Sequence, residues 1–317
     1  MMIASATTAL TLQIIKELLH RFKGTHGGVA HHFCGMKLEW KPQEKAVKLS
    51  QTAYIEKVHE TFVQLSPVVP RYTPMDPDLR IIPTGTTKEP ESPLMDVTVY
   101  PYRTLIGAMN YLACCTRPDI AYTVNQLARA NNAPTVAHWK AALHCLGYLA
   151  NTKGLGIVLG GGNIPAIAYV DSSHGTGTPD GKPVAGHIVL VYGGPVTWTS
   201  KTQHLTSTSS TESEYRSLST CVKDCLWMQQ ILKCFNVVPR PFPIKSDNMG
   251  AINSAKNHTS TQHTKHIELH VHFLRERVQR SEVDVTHIPG NDNPADLLTK
   301  PLPRSMLEDF RQRMGVS

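Results

Sequence analysis

At residue 164 the spacing of apolar residues changes, and that change commits the second half of the chain to a layered α/β fold. Upstream, apolar positions recur every three or four residues: Leu12, Ile15, Leu18 and Leu19; Ile55, Val58 and Phe62; Trp139, Leu143, Leu146 and Leu149. That is the period of amphipathic helices. Downstream, residues 166–170, 187–192 and 196–198 are short apolar runs parted by turn residues, Gly193-Gly194 among them, which predicts three consecutive antiparallel strands. A helix over 212–235 follows, with Tyr215, Leu218, Val222, Leu226 and Leu232 on one face and Thr211 and Glu214 spaced as a capping box. Strands at 244–247 and 283–288, helices at 249–256 and 263–280 and a last helical turn at 295–300 complete a mixed five-stranded sheet with helices.

The first half reads as mostly helical. Helices are expected at 102–111, 120–130 and 135–151, Pro118 suiting a first helical turn. One strand is expected at 33–38 and a helix from Ser50. Seven prolines between residues 66 and 93 deny that stretch the donors of a ladder or helix, so it should run extended over the surface. Gly160-Gly161-Gly162 lacks the Lys-Ser/Thr of a phosphate loop and reads as a hinge between halves.

Composition narrows the class. At 317 residues the chain exceeds the usual growth of one core, and with 41% hydrophobic and 18% charged residues it is far from disordered compositions. Residues 1–15 carry three Thr, a Ser and a Gln with no basic residue, so neither a signal peptide nor a membrane span is expected there. The seven Cys form no Cys-x-x-Cys pair and read as reduced intracellular thiols with no structural metal. His266 and His270 share a helical face, but Glu268 does not stand in His-Glu-x-x-His order, which argues against zinc. The net charge of +7 is concentrated in residues 1–160, with 16 Lys/Arg against 11 Asp/Glu, and favours a polyanionic partner.

Four acids stand at the ends or beginnings of elements: Asp171 after the first strand of the second half, Glu214 in the first turn of the long helix, Asp247 after the fourth strand and Asp296 in the last turn. Singly, such acids cap helices. Together they offer the hard oxygen ligands that a pair of Mg²⁺ ions needs for phosphodiester hydrolysis.

Six motifs carry a resemblance that covers nearly the whole chain: Tyr102-Arg103-Thr104-Leu105-Ile106-Gly107, Thr116-Arg117-Pro118-Asp119-Ile120-Ala121-Tyr122, Ala137-His138-Trp139, Ser209-Ser210-Thr211-Glu212-Ser213-Glu214-Tyr215, Thr264-Lys265-His266-Ile267 and Ala295-Asp296-Leu297-Leu298-Thr299-Lys300-Pro301. In this order they resemble the C-terminal part of copia-type LTR retrotransposon polyproteins. The resemblance implies a thumb-like remnant of reverse transcriptase over 1–65, a proline-rich linker over 66–100, a helical connection subdomain over 101–160, a ribonuclease H-like domain over 161–303 and a C-terminal tail over 304–317. It implies the α/β fold of ribonuclease H, a metal-dependent endoribonuclease acting on RNA–DNA hybrids, with Asp171, Glu214, Asp247 and Asp296 as catalytic ligands of Mg²⁺ or Mn²⁺. Thr-Glu-Ser-Glu leaves Glu212 open beside Glu214. Trp198, Lys201 and Gln203 on the third strand and its exit, and Lys265 and His266 at a helix start, are candidate contacts to the hybrid. An intracellular setting, cytoplasmic in a virus-like particle or nuclear, and other polyprotein products as partners follow from the same family.

The pattern departs from the family in places. There is no Asp-Asp dipeptide for a Tyr-x-Asp-Asp polymerase hairpin, Asp171-Ser172-Ser173-His174 replaces Asp-x-Asp-Trp, and no His follows Pro289. An inactive remnant that retains nucleic-acid binding is therefore the alternative reading. Strand transfer would want Asp, Asp, Glu, whereas this chain reads Asp, Glu, Asp, Asp.

Overall fold

The computed structural model describes residues 3, 7–79, 81, 92–173, 181–203, 210–237, 239–256 and 268–317, with backbone alone at 210–212, 254, 268 and 269. Chain order runs α1 (Thr8–Arg21), β1 (His32–Phe33), β2 (Met36–Lys41), β3 (Ala46–Ser50), α2 (Thr52–Val63), α3 (Tyr102–Cys115), α4 (Ala121–Ala128), α5 (Val136–Asn151) and β4 (Gly156–Gly160). It continues with β5 (Ala166–Ser172), β6 (Val184–Val191), β7 (Gly194–Thr202), α6 (Ser210–Lys233), β8 (Phe242–Ser246), α7 (Met249–Lys256), α8 (Glu268–Gln279), β9 (Val283–His287) and α9 (Arg304–Arg313).

The five-stranded sheet is the one expected, ordered β7-β6-β5-β8-β9. Its first three strands are antiparallel, and β5, β8 and β9 are parallel. Alternation sorts its side chains to two faces. Ala166, Ala168 and Val170 join Tyr215, Leu218, Val222, Ile252 and Leu274 of α6, α7 and α8 in one core. Val184, Ile188 and Leu190 join a second core built by Leu105, Met109 and Leu112 of α3, Leu127 of α4, Leu146 and Leu149 of α5, and Leu307, Phe310 and Met314 of α9. The sheet is thus a wall shared by both halves of the chain.

A second sheet, antiparallel and ordered β1-β2-β3-β4, was not expected. Residues 33–38 read as one strand, but Cys34 (φ 47°) and Gly35 (φ 74°) turn the chain in mid-run. β3 alternates too briefly to announce itself, and β4 finds its partner more than a hundred residues upstream, pairing Gly156 with Ser50 and Gly160 with Ala46. Nor does the triple glycine act as a hinge. The Gly162 amide donates to Tyr192 O at 2.7 Å, and a Cβ at Gly162 would lie 2.6 Å from the Tyr192 backbone. The glycines let two backbones cross in contact.

The proline-rich stretch is docked rather than loose as far as it is described. Trp139 Nε1 donates to Ser66 Oγ (3.0 Å), Asn151 Nδ2 to Arg71 O (3.0 Å), and a ring nitrogen of His144 lies 2.9 Å from Thr73 O. Residues 304–317 form α9 and a terminal bridge, with Leu307, Phe310 and Met314 buried and the Ser317 amide donating to Gly156 O at 3.0 Å. This segment is part of the core, where a tail was expected.

Between α3 and α4, Arg117 is fully buried and forks onto Asp119, with Nε donating to Oδ1 at 2.9 Å and Nη2 to Oδ2 at 2.8 Å. The Tyr148 hydroxyl donates to Asp119 Oδ2 at 2.6 Å, Arg117 reaches Thr152 O and Oγ1, and Arg311 of α9 donates to the Tyr148 hydroxyl at 3.2 Å. This network ties the helices of the first half to the last helix of the chain.

Candidate metal centre

Parallel pairing of β5 with β8 sets Val170 beside Ser246, so Asp171 and Asp247 emerge together at the carboxyl ends of neighbouring strands, where open α/β sheets present their crevice. The 3-10 segment Pro294–Leu298 brings Asp296 to the same place. Asn293 fixes it: its Nδ2 donates to Val170 O at 3.0 Å, and its Oδ1 accepts from the Ala295 amide at 3.2 Å. Gly186 makes the approach feasible, because a Cβ there would sit 2.7 Å from Thr299 Cγ2 and 2.8 Å from Leu298 Cβ. The result is three aspartates, each with an oxygen within 4.8 Å of the others, a group that could hold a metal ion.

Glu214 enters from the first turns of α6 and is 4% exposed. Its carboxyl is pushed up to about 9, first by burial and then by Asp171, Asp247 and Asp296, against a hydrogen bond from the Asn248 side chain. Asn248 is itself fixed as a cap, its Oδ1 accepting from the Ala251 amide at 2.9 Å. Glu214 therefore bonds across to Asn248 and faces the other acids, while the Thr211 side chain of the expected capping box lies outside the described residues. The Glu212 side chain lies outside the described residues.

Burial, and next the charge of Asp171, raises Asp296 to about 7, with Lys300 opposing. The same two causes raise Asp247. Oδ1 of Asp247 and Oδ1 of Asp296 are buried with no hydrogen-bond partner. Orphaned carboxylate oxygens among like charges are what a hard divalent cation would satisfy, so the donor set fits Mg²⁺ or Mn²⁺.

Two neighbours had no role at the level of sequence. Thr299 donates its hydroxyl to Asp171 Oδ2, and Lys300 Nζ lies 2.7 Å from Asp296 Oδ2. Both sit in the motif Ala295–Pro301; the four-residue spacing of Lys300 from Asp296 is the signal for that pair on one helical turn, whereas nothing local marks the contact of Thr299 to Asp171.

The remaining candidates lie differently. Trp198 donates Nε1 to Ala113 O of α3 at 2.7 Å and packs on the shared core, which places its indole at the junction with the first half. Lys201 is exposed on β7. Gln203 donates to Ser213 O at 3.0 Å beside Glu214, and its Oε1 is buried without a partner. Lys265 and His266 fall outside the described residues. No helix among the described residues is long and apolar enough to cross a membrane.

No protein-family model matches the chain. The chain is 30% identical over 318 residues to the retrovirus-related Pol polyprotein from transposon TNT 1-94 of Nicotiana tabacum, covering 100% of this chain and 24% of that protein. It is 34% identical over 307 residues to the corresponding polyprotein from transposon RE1 of Arabidopsis thaliana, covering 96% of this chain and 20% of that protein. The chain thus spans a quarter or less of the length of these relatives. Among solved structures, LC11-RNase H1 from compost is 17% identical and overlaps 45% of this chain and 96% of that one, with a TM-score of 0.34. From end to end, the chain matches a stretch of retrovirus-related Pol polyproteins from plant transposons.

Proposed function

We propose that the chain is the ribonuclease H portion of such a polyprotein and hydrolyses the RNA strand of RNA–DNA hybrids with Mg²⁺ or Mn²⁺. The observation that carries this reading is the convergence of Asp171, Asp247 and Asp296 within 4.8 Å, with Glu214 beside them. Asp171 and Asp247 would hold the ions, and Asp296 and Glu214 would complete the set. The bound ions would polarise the phosphodiester and lower the pKa of an attacking water.

The protein's own groups do the positioning. Thr299 orients Asp171, Asn248 orients Glu214, and Asn293 fixes the segment that bears Asp296. In the hydrolysis a water oxygen joins phosphorus, the bond from phosphorus to the departing sugar oxygen breaks, and that oxygen takes up a proton. The basic excess of residues 1–160 supplies the sequence-independent attraction for the hybrid backbone.

The test is cleavage of an end-labelled RNA–DNA hybrid by the full chain with Mg²⁺, with Mn²⁺ and with chelator, beside the same RNA paired to RNA. Metal-dependent cutting of the hybrid alone supports the reading. A folded, hybrid-binding protein that cuts nothing with either ion establishes the inactive remnant instead.

A further inference from the structure

We infer that Lys300 is a built-in counter-cation of the carboxylate cluster, and that a divalent ion enters by displacing its ammonium. This rests on the reading of the cluster as a metal site.

Lys300 Nζ lies 2.7 Å from Asp296 Oδ2, while Oδ1 of Asp296 and of Asp247 are buried and unpartnered. The cluster therefore has two oxygens free and a third taken by a cation already present. Burial alone would lower the ammonium's affinity for its proton, yet its hydrogen bond to Asp296 and the charges of Asp296, Asp171 and Asp247 outweigh that. All three aspartates act on this one charge. Its neighbour Thr299 donates to Asp171 and so ties the segment that bears Asp296 and Lys300 to the end of β5.

The residue type suits the task. Lysine carries a compact, hydrated charge on a flexible four-carbon stem and can withdraw, whereas a fork would bind both oxygens of one carboxylate. The Lys300 side chain is 50% exposed while that of Asp296 is 5% exposed, so the ammonium has a route into solvent that the carboxylate lacks. Without metal, the lysine offsets like charges that would otherwise strain the ends of β5 and β8. With metal it becomes a competitor, because a single charge about 5 Å from a double one weakens binding about tenfold even at the dielectric constant of water.

The experiment measures Mn²⁺ binding to the full chain by the loss of the free-ion electron paramagnetic resonance signal at fixed ionic strength. Lys300→Met and Lys300→Gln are compared with the parent and with Lys300→Arg, which keeps the charge. Both neutral variants should bind Mn²⁺ about tenfold more tightly, and the arginine variant no more tightly than the parent. In chelator the neutral variants should melt lower than the parent, and saturating Mn²⁺ should close that gap. Glutamine keeps a hydrogen bond to Asp296, so it separates charge from packing if the methionine variant folds poorly. Unchanged or weaker Mn²⁺ binding in the neutral variants, with binding intact in the parent, overturns the role of Lys300 alone. No binding by parent or variants removes the metal site and the inference with it.

Discussion

Two clusters of buried ionisable groups in this chain are built on opposite rules. Around Asp119 every charge has an opposite partner: a forked arginine, a tyrosine hydroxyl and, one bond further, Arg311. Although burial would raise the Asp119 carboxyl, Arg117 and the hydrogen bonds hold it below its ordinary range. Around Asp171 four acids share one lysine, Glu214 is pushed up to about 9, and two oxygens find no donor. Burial is common to both, so burial does not mark function. Incomplete pairing does, because a fold keeps frustrated charges only where something else will satisfy them.

The sharpest way to break this contrast is to unpair the paired cluster. Asp119→Ala leaves the Arg117 guanidinium buried without its carboxylate and should destabilise the protein by about 3–5 kcal/mol in urea unfolding. A loss below about 1 kcal/mol would show that water reaches Arg117. In the frustrated cluster the same kind of change should act in reverse: Asp247→Asn should reduce hybrid cleavage at least about a hundredfold, while the melting temperature in chelator holds or rises as repulsion is relieved. Cleavage at the parent rate would exclude Asp247 from the chemistry.

Acidity sharpens the comparison further. Burial and the neighbouring acids push the Glu214 carboxyl from its ordinary 4.5 up to about 9 in the folded chain, so between those values the folded chain holds a proton that the unfolded chain has released. Unfolding free energy of the metal-free protein should therefore fall as pH rises through that window, by at most about 1.4 kcal/mol per unit. Asp119 runs the other way, its contribution present at neutral pH and lost as acid titrates the carboxylate. Saturating Mn²⁺ should flatten the alkaline decline, and a decline that persists in Mn²⁺ and in Glu214→Gln would place its origin elsewhere.

Smaller effects follow. Tyr148→Phe removes one donor to a buried carboxylate and should lower stability by about 2 kcal/mol. Glu212→Gln should change stability by no more than about 0.5 kcal/mol through the dipole of α6, and leave cleavage near the parent rate, while Glu214→Gln should nearly abolish it. The reverse ranking would move the fourth ligand to Glu212.

What the sequence made legible was whatever depends on local order. Strands with period two, helices with period three to four, and acids at their ends were all readable, and Asp171, Asp247 and Asp296 do meet in space. What escaped depends on distance along the chain. β4 reads as an isolated glycine-rich turn until β3 is laid beside it. Thr299 looks like any threonine after a helical turn until Asp171, 128 residues earlier, arrives under its hydroxyl. Trp198 carries no mark in sequence to say that its partner is the backbone of α3 rather than a ligand.

The core shared by α3, α4, α5, the sheet and α9 has a consequence in time. Synthesis runs from the N-terminus, and the helices of the first half are complete by residue 151, yet Leu297, Leu298, Leu307, Phe310 and Met314 of their core emerge only at the end. Each large side chain left uncovered forgoes about 1.5–3 kcal/mol of burial. The first half must therefore wait on the ribosome as an unfinished, sticky intermediate, and the long-range contacts that close it make a slow, cooperative final step. The closing of this core and the meeting of Asp296 with Asp171 and Asp247 are therefore completed in one event.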